Sequence, residues 1–220
     1  MDINLDTARF NMIQQQIRPW GVIDDRVLDT LAAIPRERFV PDAYRGLAYA
    51  DIEVPLGGDQ FMLAPKVIAR LLQALAIRPE DRILEIGAGS GYLTACLNQL
   101  GGAVVSLEID PALAALARAN LADVDPRRLE VREGDGLAGE DDGGPFDVIV
   151  VTGSLPDDRA LAGLEAQLAL SGRLFAILGE DPAMEATLIT RTKDGISRLS
   201  LFETSVPALA KAPAPERFVF

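Results

Sequence analysis

The stretch 83–94, ILEIGAGSGYLT, places a carboxylate, Glu85, just ahead of a turn built on Gly87, Gly89 and Gly91. Such turns let a ligand approach bare backbone at the start of the following helix. A turn that cradles a pyrophosphate is spaced G-x-G-x-x-G, and here Tyr92 stands where the third of those glycines would be. Glu85 would repel a pyrophosphate but attract a ligand that carries an amino group and a sulfonium. Two further acids fall at related places. Glu108 closes the apolar run VVSLE, and Asp135 sits between Gly134 and Gly136.

A carboxylate at the end of the second strand can accept hydrogen bonds from both hydroxyls of a ribose. One after the third strand can accept from the exocyclic amine of adenine. Taken singly, each has an ordinary explanation, a solvated strand end for Glu108 and a turn former for Asp135. Together, at the carboxyl ends of successive strands where open α/β sheets bind ligands, they point to S-adenosyl-L-methionine as cofactor. Tyr92 and Glu85 argue against a nicotinamide-dependent oxidoreductase.

What the chain lacks narrows the chemistry further. It has no histidine, so every mechanism that needs an imidazole base is excluded. Cys96 is the sole cysteine, which leaves neither a disulfide nor a metal-binding spacing, and its place in a helix reads as core. A formal net charge of −12 is the wrong sign for nucleic acid as the main partner. The start MDINLDTARF is not a secretory signal, and no run of about 18 apolar residues would span a membrane. These features predict a cytoplasmic protein with no membrane partner and no metal.

The elements that must position the acids follow from periodicity. The first 80 residues read as helices and turns: a helix capped by Asp6 and running to Arg18, with Phe10, Ile13 and Ile17 on one face, then one capped by Asp24 that stops before Pro35. Residues 51–60 read as irregular, and Pro65 opens a helix reaching about Ala76. From Arg82 strands (82–86, 103–108, 128–133, 146–152, 172–178) alternate with helices (90–100, 111–122, 157–168). That alternation predicts an α/β fold with a mostly parallel, doubly wound sheet. Residues 184–192 and 198–206, joined through Asp194-Gly195, predict an antiparallel pair at its end. The proline-alanine stretch 207–215 reads as a mobile or extended tail, PERFVF as a terminus that docks or hangs free, and 139–144, GEDDGG, as a solvated acidic loop.

The set ILEIGAGSGY, VVSLEID, GDGL and FDVIVVTGS resembles the class I S-adenosylmethionine-dependent methyltransferases. In the N-terminal third, IDDRVLDTLAAIPRERFVP, AYADIEVPLG and the Gly-x-x-Gln-x-x-x-x-Pro run from Gly57 to Pro65 resemble the protein-L-isoaspartate O-methyltransferase family. The resemblance implies a Rossmann-like domain over 81–206, a helical cap with an acceptor-side loop over 1–80, and a tail over 207–220. It implies methylation of the stray carboxylate of isoaspartyl residues, which then cyclise to a succinimide. For the cofactor it implies Glu85, Gly87, Ala88, Gly89, Gly91, Tyr92, Glu108, Ile109, Asp135, Gly136 and Thr152. For the acceptor it implies Asp59, Gln60, Phe61, Leu63 and Ser154.

One stretch departs from the family. Its loop reads approximately Gly-His-Gly-Gln-Thr-Ile-Ser-Gln-Pro, with the serine hydroxyl close to the reacting carboxylate. Here residues 57–65 are GGDQFMLAP, so Phe61 replaces the threonine and Leu63 the serine. Three readings stay open at this point. Carboxylate methylation survives with Gln60, backbone amides or Ser154 as donors; or the pocket takes a less polar small molecule or peptide; or Phe61, Met62 and Leu63 merely fill core. A module that binds cofactor without turnover is a fourth, motivated by Leu63. Asp59 either disfavours an anionic acceptor or points outward, and Thr152 and Ser154 either face the acceptor or serve a turn and helix cap.

Overall fold

A computed structural model describes residues 4–124, 128–138 and 144–213. The acidic loop, apart from Gly144, and the PERFVF ending with Phe218 and Phe220 lie outside the described residues. The chain opens with α1 (Leu5–Asn11), capped by Asn4, whose side chain accepts from the Thr7 amide at 3.0 Å. The cap is thus two residues earlier than the expected Asp6. The helix also does not continue regularly to Arg18. It widens into a π-helical turn over Met12–Ile17 and tightens into a 3₁₀ turn over Arg18–Trp20 that ends at Gly21 in the left-handed region. Each extra residue in a π turn rotates the following side chains. Met12, Ile13 and Ile17 therefore point inward while Phe10, expected on the same face, is exposed.

The helix α2 (Asp25–Ala33) has the expected cap, Asp24, accepting from the Arg26 amide at 2.9 Å. Residues 51–60 are not irregular throughout. β1 (Val54–Gly57) pairs antiparallel with β2 (Gln60–Met62). Between them Gly58 (φ 57°) and Asp59 (φ 59°) both have positive φ, as two-residue hairpin turns of the right twist require. α3 (Pro65–Leu75) follows, with Pro65 in its first turn as predicted and its apolar face wholly buried.

Then come β3 (Arg82–Ile86), α4 (Tyr92–Leu100), β4 (Ala103–Glu108), α5 (Pro111–Asn120) and β5 (Leu129–Glu133). The chain continues through β6 (Phe146–Leu155), α6 (Leu161–Gln167), β7 (Leu168–Glu180), β8 (Ala183–Thr192) and β9 (Gly195–Thr204). The sheet order is β5-β4-β3-β6-β7-β8-β9, parallel from β5 to β7 and antiparallel from β7 to β9. This is the doubly wound sheet with an antiparallel end that the alternation predicts. β6 runs three residues beyond its expected end, so Thr152 and Ser154 lie within the strand and cap no helix. α6 is correspondingly short, preceded by a 3₁₀ turn that Asp157 caps.

Two hydrophobic clusters flank the sheet. The larger takes in α1, α2, α3 and α4, so the N-terminal helices share one core with the sheet, and Cys96 lies wholly inside it. Burial pushes the Cys96 thiol up to about 12, which leaves it a packing residue. The smaller cluster lies under α6. Among the described residues no helix is long and apolar enough to cross a membrane, and no three acids, cysteines or histidines group to hold a metal ion.

Candidate functional site

The carboxyl ends of β3, β4, β5 and β6 open on a cleft enclosing about 900 Å³, part of it continuous with solvent. Its floor is the glycine turn. Gly87, Gly89 and Gly91 all have positive φ, at 92°, 54° and 84°. A Cβ on Gly87 would stand 2.2 Å from Thr152 Oγ1, so the turn needs glycine there for space as well as for conformation. Thr152 uses its hydroxyl on the turn itself, donating to the Ile86 and Gly87 carbonyls at 3.0 and 2.9 Å. The turn is braced from below before any ligand arrives.

Glu108 stands at the tip of β4 on the cleft wall. One of its oxygens accepts from the Gly89 amide at 2.8 Å and the other from the Asp110 amide at 3.1 Å. A carboxylate offers about four lone-pair positions. Two are therefore left to meet a pair of neighbouring hydroxyls. Ile109, Leu107 and Leu113 line the same part of the cleft with apolar surface, and Asp135 and Gly136 close its far side. A Cβ on Gly136 would meet Ile86 Cγ2 at 2.5 Å, so that side too is shaped for close approach. These groups fit S-adenosylmethionine: carboxylates able to accept from a ribose diol and an adenine amine, apolar surface able to meet a ring, and bare backbone at the turn. Among the described residues no lysine or arginine lines the cleft, so it offers no cationic side chain to pair with a pyrophosphate.

Gly87, Ala88, Gly89, Tyr92, Glu108, Ile109, Asp135, Gly136 and Thr152 all line this cleft, as do Gln60, Phe61 and Leu63 from the cap side. Four expected residues do not; the first, Gly91, caps α4 in the left-handed region against Leu121, outside the lining. Glu85 is fully buried on the strand face under α4, where its Oε2 accepts from Thr94 Oγ1 at 2.5 Å and Ser106 Oγ at 2.6 Å. Burial pushes its carboxyl up to about 8, held back in part by those two hydroxyls and raised further by Glu108. It supports the strand and lies outside the cleft lining. Asp59 is an exposed hairpin-turn residue outside the cleft wall. Ser154 is buried and lines a second, neighbouring cleft.

On the cap side the loop is held from beneath. Arg36 is fully buried, donates to the Ala48 carbonyl at 2.9 Å and the Leu63 carbonyl at 2.8 Å, and lies 4.9 Å from the Tyr92 ring centroid. Burial lowers its pKa, with the neighbouring Tyr92 among the groups opposing that. Leu63 thus turns its backbone to the cap and its side chain, almost wholly buried, to the cleft wall, while Phe61 is 40% exposed at the mouth.

The residues that periodicity misses come from the tail. The Ser154 amide donates to the Pro207 carbonyl at 3.0 Å, and the Leu209 amide donates to the Ser154 carbonyl at 2.9 Å. Residues 207–209 therefore run extended beside β6 and, with Ala210 in the turn that follows, complete the cleft wall. A Cβ on Gly153 would meet the Leu209 amide nitrogen at 2.7 Å, so Gly153 makes room for that segment. Proline-alanine composition carries no periodic signal that would reveal such docking.

Comparison with known proteins agrees with this geometry. The family described as "Protein-L-isoaspartate(D-aspartate) O-methyltransferase (PCMT)" matches residues 8–206. The chain is 40% identical over 206 residues to a protein-L-isoaspartate O-methyltransferase of Gloeobacter violaceus, covering 92% of this chain and 98% of that one. It is 42% identical to one of Methanoregula boonei, covering 83% of each. Among solved structures it superposes on a putative protein-L-isoaspartate O-methyltransferase of Plasmodium falciparum in complex with S-adenosyl-L-homocysteine. That match has a TM-score of 0.79 and 25% identity, and covers 96% of this chain and 100% of that one. The cleft, the glycine turn and these matches agree: the chain belongs to the protein-L-isoaspartate(D-aspartate) O-methyltransferase family.

Proposed function

We propose that this protein is an S-adenosylmethionine-dependent O-methyltransferase that methylates isoaspartyl carboxylates in proteins or peptides. The observation that carries the reading is Glu108, which holds the glycine turn with one set of lone pairs and keeps another for a diol. When bound, S-adenosylmethionine supplies a methyl group activated by a positively charged sulfur. The chain's part is to hold and orient. Glu108 and Asp135 fix the nucleoside end, the Gly87–Gly91 turn accepts the methionine end, and Gln60, Phe61 and Leu63 bound the space where an acceptor lies. A carboxylate is ionised near neutral pH and needs no base to become a nucleophile, which agrees with a chain that has no histidine. Alignment of the reacting atoms, with water kept out by Leu63 and the 207–210 wall, then supplies most of the acceleration. The cap over 1–80 bears the acceptor loop, and 81–206 holds the cofactor. The test is methyl transfer from radiolabelled cofactor to an isoaspartyl peptide against its aspartyl twin. Base-labile label on the first alone is expected; equal labelling of both would overturn the reading.

The apolar side chains of Phe61 and Leu63 on the cleft wall favour a second reading, a less polar acceptor. Leu63→Ser separates the two. If the acceptor is a carboxylate, a hydroxyl there adds one hydrogen bond and raises kcat/KM on an isoaspartyl peptide about tenfold. A fall in that value, in protein whose melting curve shows it folded, would favour the apolar acceptor.

A further inference from the structure

A second cleft adjoins the first, with Glu53, Pro207 and Ala208 common to both walls. Its other walls include Ser154, Glu180 and Asp181, and among the described residues no lysine or arginine lines it. Ser154 is 1% exposed, and its hydroxyl has no hydrogen-bond partner although its backbone is fully engaged with the 207–209 segment. A buried hydroxyl left unpaired costs about 1–3 kcal/mol, so a donor that reached it through the cleft would be stabilised. Glu53 is half-buried and makes no hydrogen bond or ion pair among the described residues, and burial raises its pKa. Asp181 accepts from Ser205 Oγ at 3.0 Å and is otherwise open to solvent.

These groups ask for a donor with positive charge. A metal ion is a poor match, because no three ligating side chains converge among the described residues. Glu53, Glu180 and Asp181 share the wall of one cleft, which suits a side chain with a cationic head. We propose that this second cleft receives the lysine or arginine side chain of a residue flanking the methylated aspartyl, so that the acceptor peptide lies across the Pro207–Ala208 ridge. The proposal rests on the isoaspartyl reading above and adds the charge of the sequence around the methylated site. Ser154 Oγ and Glu53 accept from the cationic head, with Asp181 strengthening the field along its path.

The test uses fluorescein-labelled isoaspartyl peptides that differ only in one flanking residue, Lys, Gln or Glu, scanned over the neighbouring positions. Binding to the full chain is read by anisotropy with S-adenosylhomocysteine present, and kcat/KM is measured in parallel. At one position Lys is expected to bind about tenfold more tightly than Gln, with Glu weaker still. The gain should fall to within about twofold in Glu53→Gln/Asp181→Asn. It should persist in Asp123→Asn/Asp194→Asn, which loses the same charge elsewhere and so controls for attraction by the whole acidic chain. Equal binding of the three peptides, or a preference that survives in Glu53→Gln/Asp181→Asn, overturns the cleft assignment while isoaspartyl methylation stands. Binding of S-adenosylhomocysteine with no binding or labelling of any isoaspartyl peptide removes both readings.

Discussion

Replacing Glu108 by alanine is expected to raise the dissociation constant for S-adenosylhomocysteine at least about a hundredfold, measured by titration calorimetry. Hydrogen bonds from a ribose diol to an ionised carboxylate are charge-assisted and contribute roughly 1.5–3 kcal/mol each, and about 2.8 kcal/mol corresponds to a factor of a hundred. The substitution also strips the Gly89 amide of its acceptor, 2.8 Å away, and the Asp110 amide of its own, so the turn loses a tether as the ribose loses its partner. Glu108→Gln keeps one carbonyl oxygen and should fall between the two. Undiminished affinity in the alanine variant would place the nucleoside elsewhere and remove the basis for the proposed function.

The second large effect concerns stability. Glu85→Gln should make the protein more resistant to urea at pH 9 but change it little at pH 5. A carboxyl pushed up to about 8 in the folded chain, from an ordinary 4.5, keeps its proton longer when folded than when unfolded. Stability therefore declines as pH rises from about 4.5 toward 8 and levels off above that, where the buried group is ionised. The full penalty is on the order of 3–5 kcal/mol, and a neutral amide does not incur it. Gln can still accept from Thr94 and Ser106 through its carbonyl oxygen, and its amide takes the place of Oε1, which makes no hydrogen bond that could be lost. Urea midpoints for both proteins across pH 5–9 give the answer. Parallel curves would mean that water or a nearby cation already compensates the charge.

Glu85 also shows where sequence reasoning stops. Its closeness to the glycine turn along the chain suggested a ligand contact. In a strand, however, successive side chains alternate faces, and Glu85 shares the α4 side with Ile83. That parity was available in the sequence, but not which face the cleft used. Glu108 and Asp135 were legible because strand ends, not strand faces, present them. The β1–β2 hairpin was hidden by Pro55 and the breaker pair Gly57-Gly58, although Gly58-Asp59 is itself a hairpin dipeptide of the kind that tolerates positive φ. The π turn at Met12–Ile17 left no mark at all, since its residues favour an ordinary helix as readily.

The segment 207–210, docked along β6, is translated after every strand of the sheet. A growing chain on the ribosome thus owns the glycine cradle long before it can enclose anything in it. A chain that stops short of Pro207 has the cradle without its last side.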